Sequence, residues 1–139
     1  MMTYRLKLDD LRPIVTKFDK KITEGVVILK GDLAAGKTTL VKAIVKAMGI
    51  EDAVTSPTFS LQQCYGKNIY HYDLYNHGLE HFISLGMMEE LDKEGVHFVE
   101  WGDDELLRIL TAAEIPTVVI EIEKVSDDER EYRIDYAHA

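Results

Sequence analysis

The chain has 139 residues, 46% of them apolar, with one cysteine and a net charge of −9. This length is typical of one domain, so we expect residues 1–139 to form a single domain that buries its core without disulfides or a structural metal. The apolar runs fall far short of the roughly 20 residues of a membrane span, and the first residues lack a signal-peptide pattern. Together with the single cysteine, these features exclude membrane and secreted classes and indicate a cytoplasmic protein.

The charge is distributed unevenly. Residues 1–46 contain 10 Lys and Arg against 5 Asp and Glu, a net of +5, whereas residues 47–139 contain 6 against 20, a net of −14. Because nucleic-acid affinity comes largely from basic side chains that neutralise phosphates, we expect no DNA binding and no broad RNA binding by this chain alone. The acidic stretch at residues 89–108 is either a solvated face or a docking surface for a basic partner.

Strand and helix patterns alternate in the first part of the chain. Residues 4–8 predict a short strand, after which Asp9 or Asp10 is expected to cap a helix that extends to residue 22. Residues 26–29 are all apolar, which is typical of a central strand covered on both faces. Residues 37–48 carry the apolar stripe of an amphipathic helix.

Five more strands and two more helices are predicted in the second part. The strands are expected at residues 61–66, 68–74, 96–99, 117–123 and 131–136, and the helices at residues 79–94 and 103–110. We expect Asp103 to cap the last helix. The whole pattern predicts an α/β three-layer fold with a mostly parallel central sheet and antiparallel hairpin additions.

Residues 31–38, G-D-L-A-A-G-K-T, match the phosphate-loop pattern G-x-x-x-x-G-K-[ST] in full. A buried strand precedes the motif and an amphipathic helix follows it, as phosphate binding requires. The glycines permit backbone angles that let successive N–H groups point inward, and the helix N-terminus adds its positive dipole end. The sequence therefore predicts a nucleotide-phosphate site. Its residues are Gly31, Asp32, Leu33, Ala34, Ala35, Gly36, Lys37, Thr38 and Thr39.

Within this site, Lys37 is expected to reach the β and γ phosphates and the Thr38 hydroxyl to ligate Mg²⁺. A second magnesium ligand should come from an acid at a neighbouring strand end, and Asp73 and Glu100 both follow predicted strands. Spacing leaves open which carboxylate holds the metal and which orients the attacking water. His71, on the strand before Asp73, is either a proton shuttle or a half-buried structural histidine.

Four segments together resemble the bacterial TsaE (YjeE) family. They are G-D-L-A-A-G-K-T-T at 31–39, S-P-T-F at 56–59, Y-H-Y-D-L-Y at 70–75 and V-E-W at 99–101. Their order and spacing match over about residues 25–102. That family is the ATPase component of the bacterial machinery that makes threonylcarbamoyladenosine beside the anticodon of tRNAs, and it acts with the TsaB–TsaD transferase heterodimer.

The resemblance implies a P-loop NTPase-like fold with ATP and Mg²⁺ as cofactors. It assigns Mg²⁺ to Thr38 and Glu100, and it makes Asp73 the acidic residue needed for hydrolysis. Lys37 and Asp73 are thus the expected catalytic residues.

Further roles follow from the same resemblance. Ser56, Pro57 and Thr58 would form a switch-like loop that senses the γ phosphate, and Trp101 would face the active site or the partner. Leu11 and Arg130 would lie near the base or ribose, and the tRNA would be held by the partner subunits rather than by this chain.

Two other functions remain open from the residues themselves. One is a small-molecule kinase, although an arginine-rich lid is missing from the sequence. The other is a non-catalytic module in which ATP merely orders an interface. A GTPase is disfavoured because the sequence has no N-K-x-D guanine motif. Since no arginine lies in a recognisable finger motif, an ATPase should be slow alone and gated by its partner.

Overall fold

The computed structural model of the chain describes residues 2–20, 24–32, 35–51, 62–66, 68–75 and 78–138. The strands are β1 (Met2–Lys7), β2 (Gly25–Lys30), β3 (Gln62–Tyr65), β4 (Ile69–Asp73), β5 (Val96–Glu100), β6 (Thr117–Lys124) and β7 (Glu129–His138). The helices are α1 (Arg12–Val15), α2 (Lys17–Lys20), α3 (Lys37–Ala47), α4 (Gly78–Ser84) and α5 (Asp104–Ala112), with a 3₁₀ helix at Met87–Asp92. No helix among these residues is both long and apolar enough to cross a membrane.

The described strands form a single sheet in the order β1-β7-β6-β2-β5-β4-β3. Its centre is parallel, since β2 pairs with β5 and β6 and β4 pairs with β5, all in the same direction. The pairs β1–β7, β6–β7 and β3–β4 are antiparallel. The predicted α/β fold, with a parallel centre and antiparallel additions, is therefore confirmed. The carboxyl ends of the four parallel strands meet at one edge of the sheet.

Apolar residues cover both faces of the sheet. On one face, α1, α2 and α3 pack over Val27 and Leu29 of β2. On the other, α4, the 3₁₀ helix and α5 pack over Val26 and Ile28. All four of these β2 side chains are at most 1% exposed. Helices on both faces explain why β2 is apolar throughout instead of alternating.

The first helical segment differs from its prediction. It consists of two short helices, and the residue at the N-terminus of α1 is Leu11, with no side-chain cap. The prediction that Asp9 or Asp10 caps this helix is wrong. The Asp10 carboxylate instead accepts a hydrogen bond from the Arg12 guanidinium at 2.9 Å, so it is paired with a charged side chain two residues along the chain.

Residues 79–94 also form two pieces rather than one helix. Helix α4 ends at Ser84, and the 3₁₀ helix starts after Gly86, whose φ is +73°. A residue in the left-handed region ends an α-helix. The helical spacing of apolar residues therefore continues past Gly86, although the α-helix does not. The cap predicted for α5 is present: the Asp103 side chain accepts a hydrogen bond from the Leu106 N–H at 2.9 Å.

Candidate functional site

The glycine-rich loop joins β2 directly to α3, which begins at Lys37. Gly31 has φ +154° and Gly36 has φ +106°, angles that L side chains rarely adopt. A Cβ built on Gly31 would also lie 2.7 Å from the carbonyl oxygen of Ile122 on β6. The first glycine is therefore required both by its backbone angle and by the close approach of the neighbouring strand.

Lys37 is buried at the first turn of α3, with 5% of its surface exposed. Its Nζ donates to the carbonyl oxygens of Gly31 at 2.5 Å and Asp32 at 3.1 Å, and it lies 3.9 Å from the centre of the Trp101 ring. Burial lowers the pKa of Lys37, while the nearby carboxylates of Glu100, Asp73 and Asp32 oppose that shift. The fold thus holds a cationic group directly against the loop, among acidic side chains.

Thr38 and Glu100 are brought together from different elements. The Thr38 hydroxyl, at the start of α3, donates to Glu100 Oε2, at the end of β5, at 2.9 Å. Glu100 is 4% exposed. The parallel register pairs Asp73 with Glu100, so both candidate carboxylates lie at the same edge of the sheet. Asp73 is 7% exposed, and its Oδ1 accepts a hydrogen bond from the Tyr75 N–H at 2.8 Å.

His71 supports Glu100 from within the sheet, a contact the sequence interpretation did not identify. Its Nε2 lies 2.5 Å from Glu100 Oε2, and its Nδ1 lies 2.9 Å from the hydroxyl oxygen of Tyr65. The imidazole is fully buried. The sequence interpretation of a half-buried histidine is corrected in one respect, since the ring is fully buried and both of its nitrogens have partners. The sequence signal for this contact was the alternation of side chains along a strand, which places His71 and Asp73 on the same face of β4.

Trp101 lies at the turn after β5 with φ +65°, a rare angle for a residue with a side chain. Its half-buried ring contacts Lys37 and packs against Tyr75 with the ring centres 4.7 Å apart. It also lines an open cleft of about 620 Å³ beside the loop, together with Asp32 and Glu121. Trp101 therefore contacts Lys37 and also forms part of the wall of the cleft.

The remaining predicted site residues are distributed as follows. Asp32 and Thr39 are exposed at the loop and on α3, whereas Ala35 is buried. Leu11 is 5% exposed and belongs to the apolar core beneath α1. Arg130 is also 5% exposed, and its guanidinium donates to backbone carbonyls, including that of Ala35. The predicted residues that lie outside the described part of the chain are Leu33, Ala34, Ser56, Pro57 and Thr58.

A buried strand, a glycine loop, a helix N-terminus and an acid from the adjacent parallel strand together define the class of P-loop NTPase-like proteins. The family model described as threonylcarbamoyl adenosine biosynthesis protein TsaE matches residues 7–132. The chain therefore belongs to the TsaE family, which acts in tRNA threonylcarbamoyladenosine biosynthesis. The resemblance seen in the four sequence segments is confirmed.

Individual relatives agree with this assignment. The tRNA threonylcarbamoyladenosine biosynthesis protein TsaE of Treponema pallidum is 38% identical over 125 residues, covering 86% of this chain and 88% of the relative. The protein of the same description from Bacillus subtilis is 35% identical over 138 residues, covering 91% and 83%. The crystal structure of YdiB from Bacillus subtilis superposes with a TM-score of 0.68 at 28% identity, covering 94% of this chain and 82% of that one.

Proposed function

We propose that this protein binds ATP with Mg²⁺ in the loop at residues 31–39 and hydrolyses the γ phosphate, as the ATPase subunit that acts on a TsaB–TsaD heterodimer. The observation that carries the proposal is the hydrogen bond of 2.9 Å between Thr38 and Glu100. It joins the hydroxyl of the phosphate loop to the acid of the neighbouring strand. The tRNA itself would be held by the partner subunits.

The donor set at this point suits magnesium. Mg²⁺ is bound in proteins by oxygen ligands, commonly one or two side-chain oxygens together with phosphates and water. Thr38 and Glu100 supply a hydroxyl and a carboxylate within hydrogen-bond distance of one another. When bound, Mg²⁺ would neutralise charge that develops on the phosphate oxygens. The two residues that would hold it are Thr38 and Glu100.

The other residues of the site would bind the phosphates and orient the attacking water. The loop amides, the N-terminus of α3 and the Lys37 ammonium group would stabilise the phosphates, with Thr39 near the α phosphate. Asp73 would accept a hydrogen bond from the attacking water, because it is a buried carboxylate at the same sheet edge as Glu100. The loop at residues 56–58 would sense the γ phosphate, and Trp101 would cover Lys37 on the side facing the cleft.

The experiment compares Thr38→Ala, Asp73→Asn and Glu100→Gln with two controls. The controls are Thr111→Ala on α5 and Asp135→Asn on β7, which change exposed residues away from the loop. Each variant is tested for ATP–Mg²⁺ binding, for phosphate release with the TsaB–TsaD heterodimer, and for threonylcarbamoyladenosine in tRNA. We expect the three site variants to lose phosphate release and modification and the controls to retain both.

Three outcomes would change the assignment. Full tRNA modification by all three site variants would overturn the proposal. Modification by variants that bind ATP without hydrolysing it would instead support a non-catalytic, nucleotide-dependent module. A phosphorylated small molecule formed in place of free phosphate would support a kinase.

A further inference from the structure

The β6–β7 hairpin contacts the phosphate loop at two points. The backbone of Ile122 on β6 approaches Gly31 so closely that a Cβ there would lie 2.7 Å from its carbonyl oxygen. From β7, the Nε of Arg130 donates to the carbonyl oxygen of Ala35 at 2.8 Å. The contact at Gly31 involves only the backbone of β6, whereas the contact at Ala35 depends on the Arg130 side chain.

Arg130 is held firmly in this position. The residue is 5% exposed, and its Nη1 donates to the carbonyl oxygens of Ser126 at 2.6 Å and Glu129 at 3.0 Å. A buried charged donor without acceptors is costly, so these carbonyls fix the guanidinium at the turn of the hairpin. The fixed guanidinium in turn fixes the direction of the Ala35 carbonyl.

The direction of that carbonyl determines where the next amide points. The Ala35 C=O and the Gly36 N–H belong to one trans peptide plane, in which the two groups point in opposite directions. Holding the carbonyl towards β7 therefore turns the Gly36 N–H away from β7. Phosphate-binding loops depend on such amides, because an anion nest needs successive N–H groups aimed at one point.

We propose that Arg130 is a positioning residue that presets the phosphate-binding amides by holding the Ala35–Gly36 peptide plane. This role differs from the base or ribose contact implied by the family resemblance. It rests on the proposed function, in that the loop binds the phosphates of ATP. Its chemical consequence is that Arg130 governs affinity for the phosphate chain itself and not for the nucleoside.

The test uses Arg130→Met, which keeps an unbranched side chain but removes every donor. Dissociation constants are measured for ATP–Mg²⁺ and for inorganic tripolyphosphate, both by displacement of a fluorescent ATP analogue. We expect both to rise by roughly ten- to a hundredfold, the range for losing a hydrogen bond from a charged donor. The control is Arg5→Met on β1, which removes an exposed ion pair with Glu131 and should leave both constants unchanged.

A second readout needs no ligand. Amide hydrogen exchange of a peptide covering residues 35–40 should be faster in Arg130→Met than in the wild type, while exchange in α5 stays the same. If Arg130→Met does not fold, both measurements are made on Arg130→Lys. That variant keeps the charge but not the planar fork, so we expect a smaller change in the same direction.

The outcomes separate this inference from the proposed function. Loss of ATP affinity with unchanged tripolyphosphate affinity would overturn it in favour of a base or ribose contact. Unchanged exchange together with unchanged affinities would overturn it outright. If the wild type bound neither ligand, the proposed function would fail, and faster exchange at residues 35–40 would still support positioning of the peptide plane.

Discussion

Glu100 accepts hydrogen bonds at a single oxygen from two residues of different elements. Thr38 approaches Oε2 from α3 and His71 approaches it from β4. A carboxylate held in this way has a fixed direction, which would favour the proposed binding of Mg²⁺. Partners of this kind commonly change metal affinity 10- to 100-fold when removed. At the scale of single residues, the site therefore depends on His71 as well as on the residues of the sequence motif.

Replacing His71 should weaken the affinity for Mg²⁺ without abolishing Mg²⁺ binding. We expect His71→Leu to raise the Mg²⁺ concentration for half-maximal ATP binding by about tenfold. His71→Gln should raise it less, because the amide nitrogen can still donate to Glu100. The exposed residue His81 provides the control, as His81→Gln should have no effect. Equal Mg²⁺ dependence in wild type and His71→Leu would contradict this prediction.

His97 gives the fold a pH-sensitive position. Its ring is fully buried, stacked on Tyr70, with Nε2 donating to the Lys93 carbonyl oxygen at 2.8 Å and Nδ1 2.8 Å from the Tyr72 hydroxyl. Burial lowers its pKa below the ordinary value of 6.5, while the hydrogen bond to the Lys93 carbonyl and the charge of Glu90 oppose that shift and the charge of Lys93 adds to it. The folded state therefore binds fewer protons than the unfolded state just below pH 6.5.

The sign of the pH effect follows from that difference. The free energy of unfolding should fall as the pH drops below 6.5, because protonation favours the unfolded chain. Urea unfolding from pH 7.5 to pH about 5 measures the slope, above the range in which most carboxylates titrate. His97→Gln should have the shallower slope. An identical slope in the two proteins would contradict the assignment to His97.

At the scale of elements, close approach of backbones determines which glycines are essential. Gly31 and Gly86 both have positive φ, but only Gly31 has a neighbouring backbone where a Cβ would lie. Around Gly86 nothing lies within 4 Å. The same residue type therefore serves two purposes: a helix stop at Gly86, and contact between the phosphate loop and β6 at Gly31.

Alanine substitution separates these purposes. Gly86→Ala should lower the free energy of unfolding by roughly 1–2 kcal/mol, the cost of a left-handed angle alone. Gly31→Ala should cost at least about 2 kcal/mol more, because the added methyl group displaces β6 or the loop. It should also abolish ATP binding, whereas Gly86→Ala should retain it. Chemical denaturation and nucleotide titration of the two variants make the comparison, and equal losses would contradict it.

At the scale of the whole molecule, four of the five arginines donate to oxygens of this same chain. Of the five in the sequence, Arg5, Arg12 and Arg133 form ion pairs with acidic residues, Arg130 holds the loop, and Arg108 is exposed on α5. An arginine that stabilises the transition state is worth about 10³–10⁵ in rate. The sequence places none of the five in a recognisable finger motif, so hydrolysis should depend on what a partner contributes.

The isolated protein should therefore hydrolyse ATP slowly. We expect the TsaB–TsaD heterodimer to raise the rate of phosphate release at least about tenfold. The measurement compares the protein alone, with the heterodimer, and with the heterodimer plus tRNA. A fast rate that no partner changes would contradict a gated site.

Much of this protein was predictable from local sequence. The strand β2, the loop at residues 31–38, the helix α3 and the cap of α5 each depend on residues close together in the chain, where backbone angles and burial periodicity act directly. The incorrect expectations concern the same scale. Asp10 was predicted as a cap but pairs with Arg12, and the helix expected over residues 79–94 is interrupted after Ser84. In each case a local alternative won: the Arg12 side chain pairs with Asp10, and Gly86 with its positive φ interrupts the helix.

The sequence by itself determined the family, the phosphate loop and the two candidate carboxylates. Only the tertiary structure decided how these parts meet. Thr38 contacts Glu100 across 62 residues of sequence, and Arg130 contacts Ala35 across 95. Such contacts depend on strand order and register, which bring distant residues to one sheet edge. Spacing along the chain carries no information about that proximity, which is why the support from His71 and Arg130 became visible only in the folded chain.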